Sequence, residues 1–384
     1  MASPAPEHLK LPFKTDILPA WATSVHQDLI GRYDRTPQIQ CTKVLPPKYG
    51  SYNIVFPLQF SDGVFWALKV PHFIPHEQFD ASAAQALISE ARTLQLLKRE
   101  TTIPIPTVHY FNADQSNALK YPFILMDFIH GIPLSKVWFD RSISPDLLNK
   151  RRLQTLHDLA EAMIQLGTLT FSQGGSPQFD HQGNICGIES LRRTDIAASL
   201  STPDDSGTDI DVTCDDGNTS GILDWEGVGA LPSCSGNMCY PTFLTRDWDP
   251  LFYAYEPDGN DEDNKSENSP EELKSLRQTY YHHITQKLLM TDPTLCNASE
   301  TDPAKWTRRS MVIENVRIAA DNPLCTHGII STIFEKIKEQ QQQPHNIMDS
   351  LYLYDIACDL VDGTLEEGVL GVLKDGLLGL CEDA

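Results

Sequence analysis

Between Tyr49 and Val70 apolar and polar positions alternate in two short runs, NIVFPLQF and VFWALKV, separated by Ser61-Asp62-Gly63. Runs rich in β-branched and aromatic residues on either side of such a turn predict a β-hairpin. The period then lengthens. Leu87, Ala91, Leu94 and Gln95 or Lys98 fall on one stripe of a helix spanning about 81–99. A proline-stiffened connector, Ile103–Thr107, leads into the apolar strand YPFILMDFI, which stops at Gly131. Beyond it the pattern is mainly helical, clearest in the amphipathic stretch 151–171. Residues 1–25 are proline-rich and read as an irregular extension, and the acidic stretch 256–272 reads as a surface loop. Gln340–Gln343 reads as another exposed patch. The fold class expected is therefore α+β and bilobal. A small antiparallel β lobe with one helix (26–128) precedes a larger, mainly helical lobe (129–384).

Charge narrows the partners. With 30 Lys and Arg against 52 Asp and Glu the net charge is −22, so a polyanion such as DNA or RNA would be repelled. A nucleotide needs only a small positive pocket and stays possible, and an acidic surface suits a neutral or cationic small molecule. No apolar run reaches the length of a membrane span. The first residues, MASPAPEHLKLPFK, lack a basic start followed by an apolar stretch, so a cytosolic protein is expected. Nine cysteines without a CxxC pair read as reduced thiols; Cys234 and Cys239 come nearest to a metal pair, with no second pair beside them.

The candidate chemistry starts at Lys69, which ends the strand Trp66-Ala67-Leu68-Lys69, a match to the V-A-I-K strand of kinases. Alternation puts Ala67 and Lys69 on one face, where a small Ala leaves room for a flat base and the ammonium reaches phosphates. Glu90, twenty-one residues on, lies at the edge of the helical stripe and is placed to pair with Lys69. Gly50 and Ser51 stand nineteen and eighteen residues before the lysine, where a phosphate-covering loop belongs. Phe123–Phe128 has the form of a hinge strand, with backbone groups near Asp127 and Phe128 facing an adenine edge. Gly221-Ile-Leu-Asp-Trp-Glu226 puts Asp224 at the end of an apolar strand, the D-F-G position in altered form.

Taken in order, GSYNIVFPLQF, LISEARTLQLL, IPIPTVHYF, FILMDFIHG, GILDWEGV and YPTFLTRDWDP resemble the aminoglycoside-phosphotransferase-like family, particularly its fungal branch, from about Pro47 to Asp359. The resemblance implies a bilobal protein-kinase-like fold, use of ATP and Mg²⁺, and phosphorylation of a hydroxyl on a small molecule, with Asp224 as metal ligand. It also implies an H-x-D-x-x-x-x-N catalytic loop. Counting back from Asp224, one register puts Asp205 on the catalytic Asp, with Pro203 and Ile210 in place of His and Asn. A one-residue slip puts Asp204 there and Asp209 on the metal-binding Asn, keeping oxygen ligands at both positions. Neither restores the His. Asp180–Ile185 imitates the end of such a loop, but Asn184 lies forty residues before Asp224 and the segment reads better as a hairpin with a Gly-Asn turn. Asp247 and Asp249 read as anchors of their aromatic loop. Two functions remain open: a small-molecule phosphotransferase, or an inactive pseudokinase serving as a nucleotide-binding or interaction module. The acceptor and the oligomeric state are not encoded legibly.

Overall fold

A computed structural model describes residues 13–30, 39–50, 52–71, 79–190, 212–215, 217–259, 264–292, 302–340 and 353–383. The chain divides into two compact units. The first takes residues 1–134, 171–215 and 219–230; the second takes 135–170, 216–218 and 231–384. The single boundary expected at residue 128 thus gives way to a discontinuous first unit, because the hairpin after residue 175 packs on the helix over 81–100 and the Ile222 N–H at the end of the Asp224 strand donates to the Pro104 carbonyl, all within that unit.

In the first unit, β1 (Cys41–Val44), β2 (Lys48–Tyr49), β3 (Asn53–Phe60), β4 (Phe65–Pro71), β5 (Val108–Asn112) and β6 (Phe123–Asp127) form an antiparallel sheet. Its order is β1-β3-β4-β6-β5, with β2 paired to the start of β3. The β3–β4 hairpin forms where alternation predicts it, with Gly63 at φ +86° supplying the left-handed turn position. Trp66, Leu68 and Val70 point into the core with Ile54, Phe56, Leu58, Phe60, Phe123 and Leu125, so Ala67 and Lys69 belong to the opposite face.

Part of the stretch expected to be irregular is a helix: α1 (Leu18–Ile30) buries Leu18 and Ala22 in that same core, and Trp21 packs edge-on to Phe123. Apolar residues at 18, 21, 22 and 25 give the stripe, and Pro19 sits in the first turn, where its missing N–H costs nothing. The helix α2 (Ala81–Glu100) is capped by Asp80, which accepts the Ala83 N–H, and packs on β5 and β6.

Behind α2 lies the hairpin of β8 (Ser176–Phe179) and β9 (Ile185–Glu189). Asp180 accepts the N–H groups of Gln182 and Asn184, and Gly183 has φ +82°, which makes Asp180–Ile185 a turn. A smaller sheet joins β7 (Ile132–Pro133), β10 (Val212–Asp215) and β11 (Asn218–Ile222) in the order β11-β10-β7.

The second unit is helical. After α3 (Leu134–Trp138) comes α4 (Pro145–Leu166), earlier than the expected 151–171 because Ser144 caps it and Pro145 opens it. It packs on α5 (Pro270–Thr291). A second core is built from α6 (Lys305–Asp321), α7 (Pro323–Gln340), α8 (Leu353–Asp362) and α9 (Glu367–Asp383) around Phe334, Ile337 and Ile329. The acidic stretch 256–272 is less free than its composition suggests. Asn264 bonds the Glu256 backbone on both sides, buried Asn268 accepts the Trp138 indole N–H, and Ser269 and Glu272 form a capping box that opens α5. No helix among the described residues is long and apolar enough to cross a membrane. The chain is thus mixed α and β, with an antiparallel sheet and a larger helical part.

Candidate functional site

Strand β4 carries Lys69 out of the sheet on the face away from the core, and α2 presents Glu90 to it. The Lys69 ammonium donates to Glu90 Oε1 at 2.6 Å, and both side chains are more than nine-tenths buried. A buried carboxylate is tolerated only when paired, so the two residues fix each other. The strand β11 then delivers a second and a third carboxylate. Its end is pinned where the Ile222 N–H donates to the Pro104 carbonyl, and the buried Trp225 indole folds back onto the Ile222 carbonyl at 3.0 Å. The turn between them places Asp224 at φ +61°, a left-handed conformation that Asp adopts more readily than most residues. Asp224 Oδ1 lies 3.4 Å from the Lys69 ammonium, and Glu226 Oε2 lies 3.6 Å from it. Glu226 also accepts the Asn53 side-chain amide at 2.8 Å.

Burial alone would pull the Lys69 pKa down, but Glu90, Glu226 and Asp224 outweigh it and hold it above its ordinary value. One ammonium thus sits among three carboxylates, two of them nearly half exposed (46% and 45%). Among the described residues no three His, Cys, Asp or Glu side chains are arranged to hold a metal ion by themselves, and the ammonium fills the middle of this group. Asp224 and Glu226 are nevertheless hard oxygen donors facing solvent. They fit the mode in which Mg²⁺ takes one or two carboxylates together with substrate phosphates.

The remaining sequence candidates divide. Gly50 opens the turn before β3, its N–H donating to the Asn53 carbonyl; Ser51 lies outside the described residues. Ala67 is buried beside Lys69 on β4. Of the backbone groups near Asp127 and Phe128 expected to face an adenine edge, the two N–H groups are already engaged. The Asp127 N–H already donates to the Thr107 carbonyl and the Phe128 N–H to the Phe65 carbonyl, so neither amide is left for a base. The Asp127 carboxylate accepts the Thr107 N–H and meets His109 Nε2 at 2.7 Å. Burial opposes ionisation there, but those hydrogen bonds hold the carboxyl down at about 2. Phe128 packs with Phe65 and His130 under the Lys48 ammonium. Asp204, Asp205 and Asp209 all lie outside the described residues.

In the second unit Asp247 binds Arg277 through both oxygens, at 2.7 and 2.9 Å, and Asp249 accepts the N–H groups of Leu251 and Phe252. Both anchor their loop. The Cys239 thiol donates to the Cys234 carbonyl, and burial pushes it up to about 12. Glu226 and Asn53 were not singled out by sequence reasoning. Their proximity joins positions 173 residues apart, and only the adjacency of Glu226 to Asp224 hinted at a role.

No established protein-family profile matches the chain. In sequence it is 29% identical, over 138 residues, to Altered inheritance of mitochondria protein 9, mitochondrial, of Candida dubliniensis, covering 35% of this chain and 22% of that one. The protein of the same name from Komagataella phaffii is 27% identical over 181 residues, 47% of this chain and 28% of the other. The match therefore spans about a quarter of the length of these relatives. They are named as mitochondrial proteins, which overturns the expectation of a cytosolic one; a missing secretory pattern tests export alone and says nothing of other compartments. Among solved structures, aminoglycoside phosphotransferase APH(4)-Ia superposes at TM-score 0.36 with 16% identity over 94% of this chain and 97% of its own. The macrolide 2'-phosphotransferase of Brachybacterium faecium gives 0.38 and 12% over 78% and 93%. Within this chain β4 carries Lys69, α2 carries Glu90 and the turn after β11 carries Asp224. In sequence the chain is thus similar to fungal proteins named for altered inheritance of mitochondria, and in fold it superposes only loosely on aminoglycoside and macrolide phosphotransferases.

Proposed function

We propose that this chain binds a nucleoside triphosphate and transfers its terminal phosphoryl group to a hydroxyl of a small molecule, and that it works in mitochondria, as the names of its relatives suggest. The observation that carries the reading is the buried Lys69–Glu90 pair with Asp224 beside it in a left-handed turn. Lys69, held by Glu90, would bind and orient phosphate oxygens. Asp224 would hold Mg²⁺, which when bound supplies neutralisation of charge between phosphates. Asp204 or Asp205 would orient the acceptor hydroxyl and take its proton, and Asp209 would give a second oxygen ligand. Transfer of this kind is mostly positioning and electrostatic stabilisation. ATP is the nucleotide proposed, and the acceptor is a neutral or cationic hydroxylated compound, in keeping with the net charge of −22.

A second reading, a nucleotide-binding module without turnover, is favoured by the 203–210 segment, where Pro203 stands in place of the catalytic-loop His in one register and no register restores it. Thermal melting with ATP and Mg²⁺ tests the part common to both readings. The wild type should melt higher with ATP and Mg²⁺ than without, and Asp224→Asn should lose most of that gain while keeping its turn conformation. No shift in the wild type, or an equal shift in the variant, sinks the assignment.

A further inference from the structure

Glu226 differs from the other two carboxylates around Lys69. The same oxygen that lies 3.6 Å from the ammonium accepts the Asn53 side-chain amide at 2.8 Å. Asn53 is the first residue of β3, and its carbonyl receives the Gly50 N–H at 2.9 Å, closing the turn between β2 and β3. A single carboxylate oxygen therefore ties that turn to the buried lysine. In the site proposed above a polyphosphate must reach the lysine, and this turn stands where the sequence leads one to expect a phosphate-covering loop. A carboxylate offers them what the edge of a phosphate would: oxygen acceptors carrying negative charge. Glu226 is also nearly half exposed and followed by Gly227 at φ +71°, a conformation natural to glycine, so its position at the rim of the site depends on a turn and not on core packing.

We propose that Glu226 is an internal stand-in for a nucleotide phosphate, holding Asn53 at the start of β3 against Lys69 until an incoming polyphosphate displaces it. The inference rests on the nucleotide reading of this site. It carries a consequence for selectivity. One ammonium among three carboxylates leaves two negative charges in excess. A bare polyphosphate meets strong repulsion there, whereas one that arrives with a divalent cation carries less charge and meets less. The latch thus favours metal-loaded over metal-free nucleotide, and removing the Glu226 charge should weaken that preference.

Two measurements on the full chain decide this. Hydrogen exchange of the nucleotide-free protein reads the tie itself. Glu226→Ala and Asn53→Ala should each speed exchange of amides in 49–56, and the double variant should add little; Glu226→Gln, which keeps an acceptor oxygen, should stay near the wild type. Calorimetric titration with ATP, with and without Mg²⁺, reads the phosphate role. Metal-free ATP should bind Glu226→Ala and Glu226→Gln about tenfold or more tighter than the wild type, the scale expected when one nearby like charge is removed. Unchanged exchange in both alanine variants overturns the tie. Wild type that binds ATP with Mg²⁺, together with a Glu226→Ala that gains nothing for metal-free ATP, overturns the stand-in role and leaves the nucleotide reading intact. Failure of every form to bind ATP under either condition overturns both.

Discussion

Two buried or nearly buried cations of this chain, one in each unit, are treated in opposite ways. Arg277 in the helical unit meets one carboxylate, Asp247, through two parallel hydrogen bonds, and a third bond goes to the Leu244 carbonyl. Charge is matched and the carboxylate is held in a bidentate grip, so nothing further is invited. Lys69 in the sheet unit meets three carboxylates, one at 2.6 Å and the outer two only at 3.4 and 3.6 Å. The first arrangement is a rivet for a loop. The second has a charge surplus facing solvent, and structures tolerate such a surplus where something else is to be bound. The difference separates a structural ion pair from a candidate site better than burial or proximity does, since both pairs are buried and both are close.

The most damaging way to break the comparison is Lys69→Met. It leaves Glu90 buried without a cation and should lower stability by about 3–5 kcal/mol, read as the urea midpoint of the nucleotide-free chain, and should abolish any nucleotide-dependent shift. A paired test sharpens it. Asp247→Asn strands Arg277 and should lower stability by about 3 kcal/mol, whereas Asp224→Asn removes a surplus charge and should change stability by less than about 1 kcal/mol, toward greater stability. Equal losses in the two variants would end the distinction. The smallest effect concerns pH. The Asp127 carboxyl is held down at about 2 by His109 and Thr107, so its contribution is fully present above the ordinary carboxylate range and is lost as pH falls toward 2. Asp127→Asn should therefore lower stability slightly at neutral pH and flatten the acid end of the stability curve, measured by denaturant titration between about pH 5 and 2.

Much of the sheet unit was legible because its signals are local. The β3–β4 hairpin announces itself by alternation and a Ser-Asp-Gly turn, and Glu90 lies on the edge of a stripe that any helix over those residues must show. Asp224 was singled out as an acid closing an apolar run, although the strand itself ends two residues earlier at Ile222. The helix α1 was not, since prolines at 4, 6, 12 and 19 hide a stripe that only the sheet beneath it makes meaningful. The ties of Asp127 to Thr107 and His109 were not legible, because Thr107 lies just ahead of β5 in a connector with no sequence signature for such a contact. Asn53 and Glu226 were invisible for a different reason. Their bond joins the first residue of β3 to a turn far along the chain, and neither segment has a periodicity that implies the other. The cytosolic expectation failed on weaker ground, since it was a default and not a signal.

The sheet unit is sewn from three separate stretches, and the last of them, 219–230, carries Asp224 and Glu226. A growing chain that has emerged through residue 134 already holds β1 to β6, α2 and the Lys69–Glu90 pair, which is electrically neutral. The other two carboxylates follow about a hundred residues later, a delay of roughly 5–20 s at ordinary rates of synthesis. The early intermediate is thus a balanced sheet with no charge surplus, free to consolidate its core, and the anionic character of the site is added only when the unit is finished.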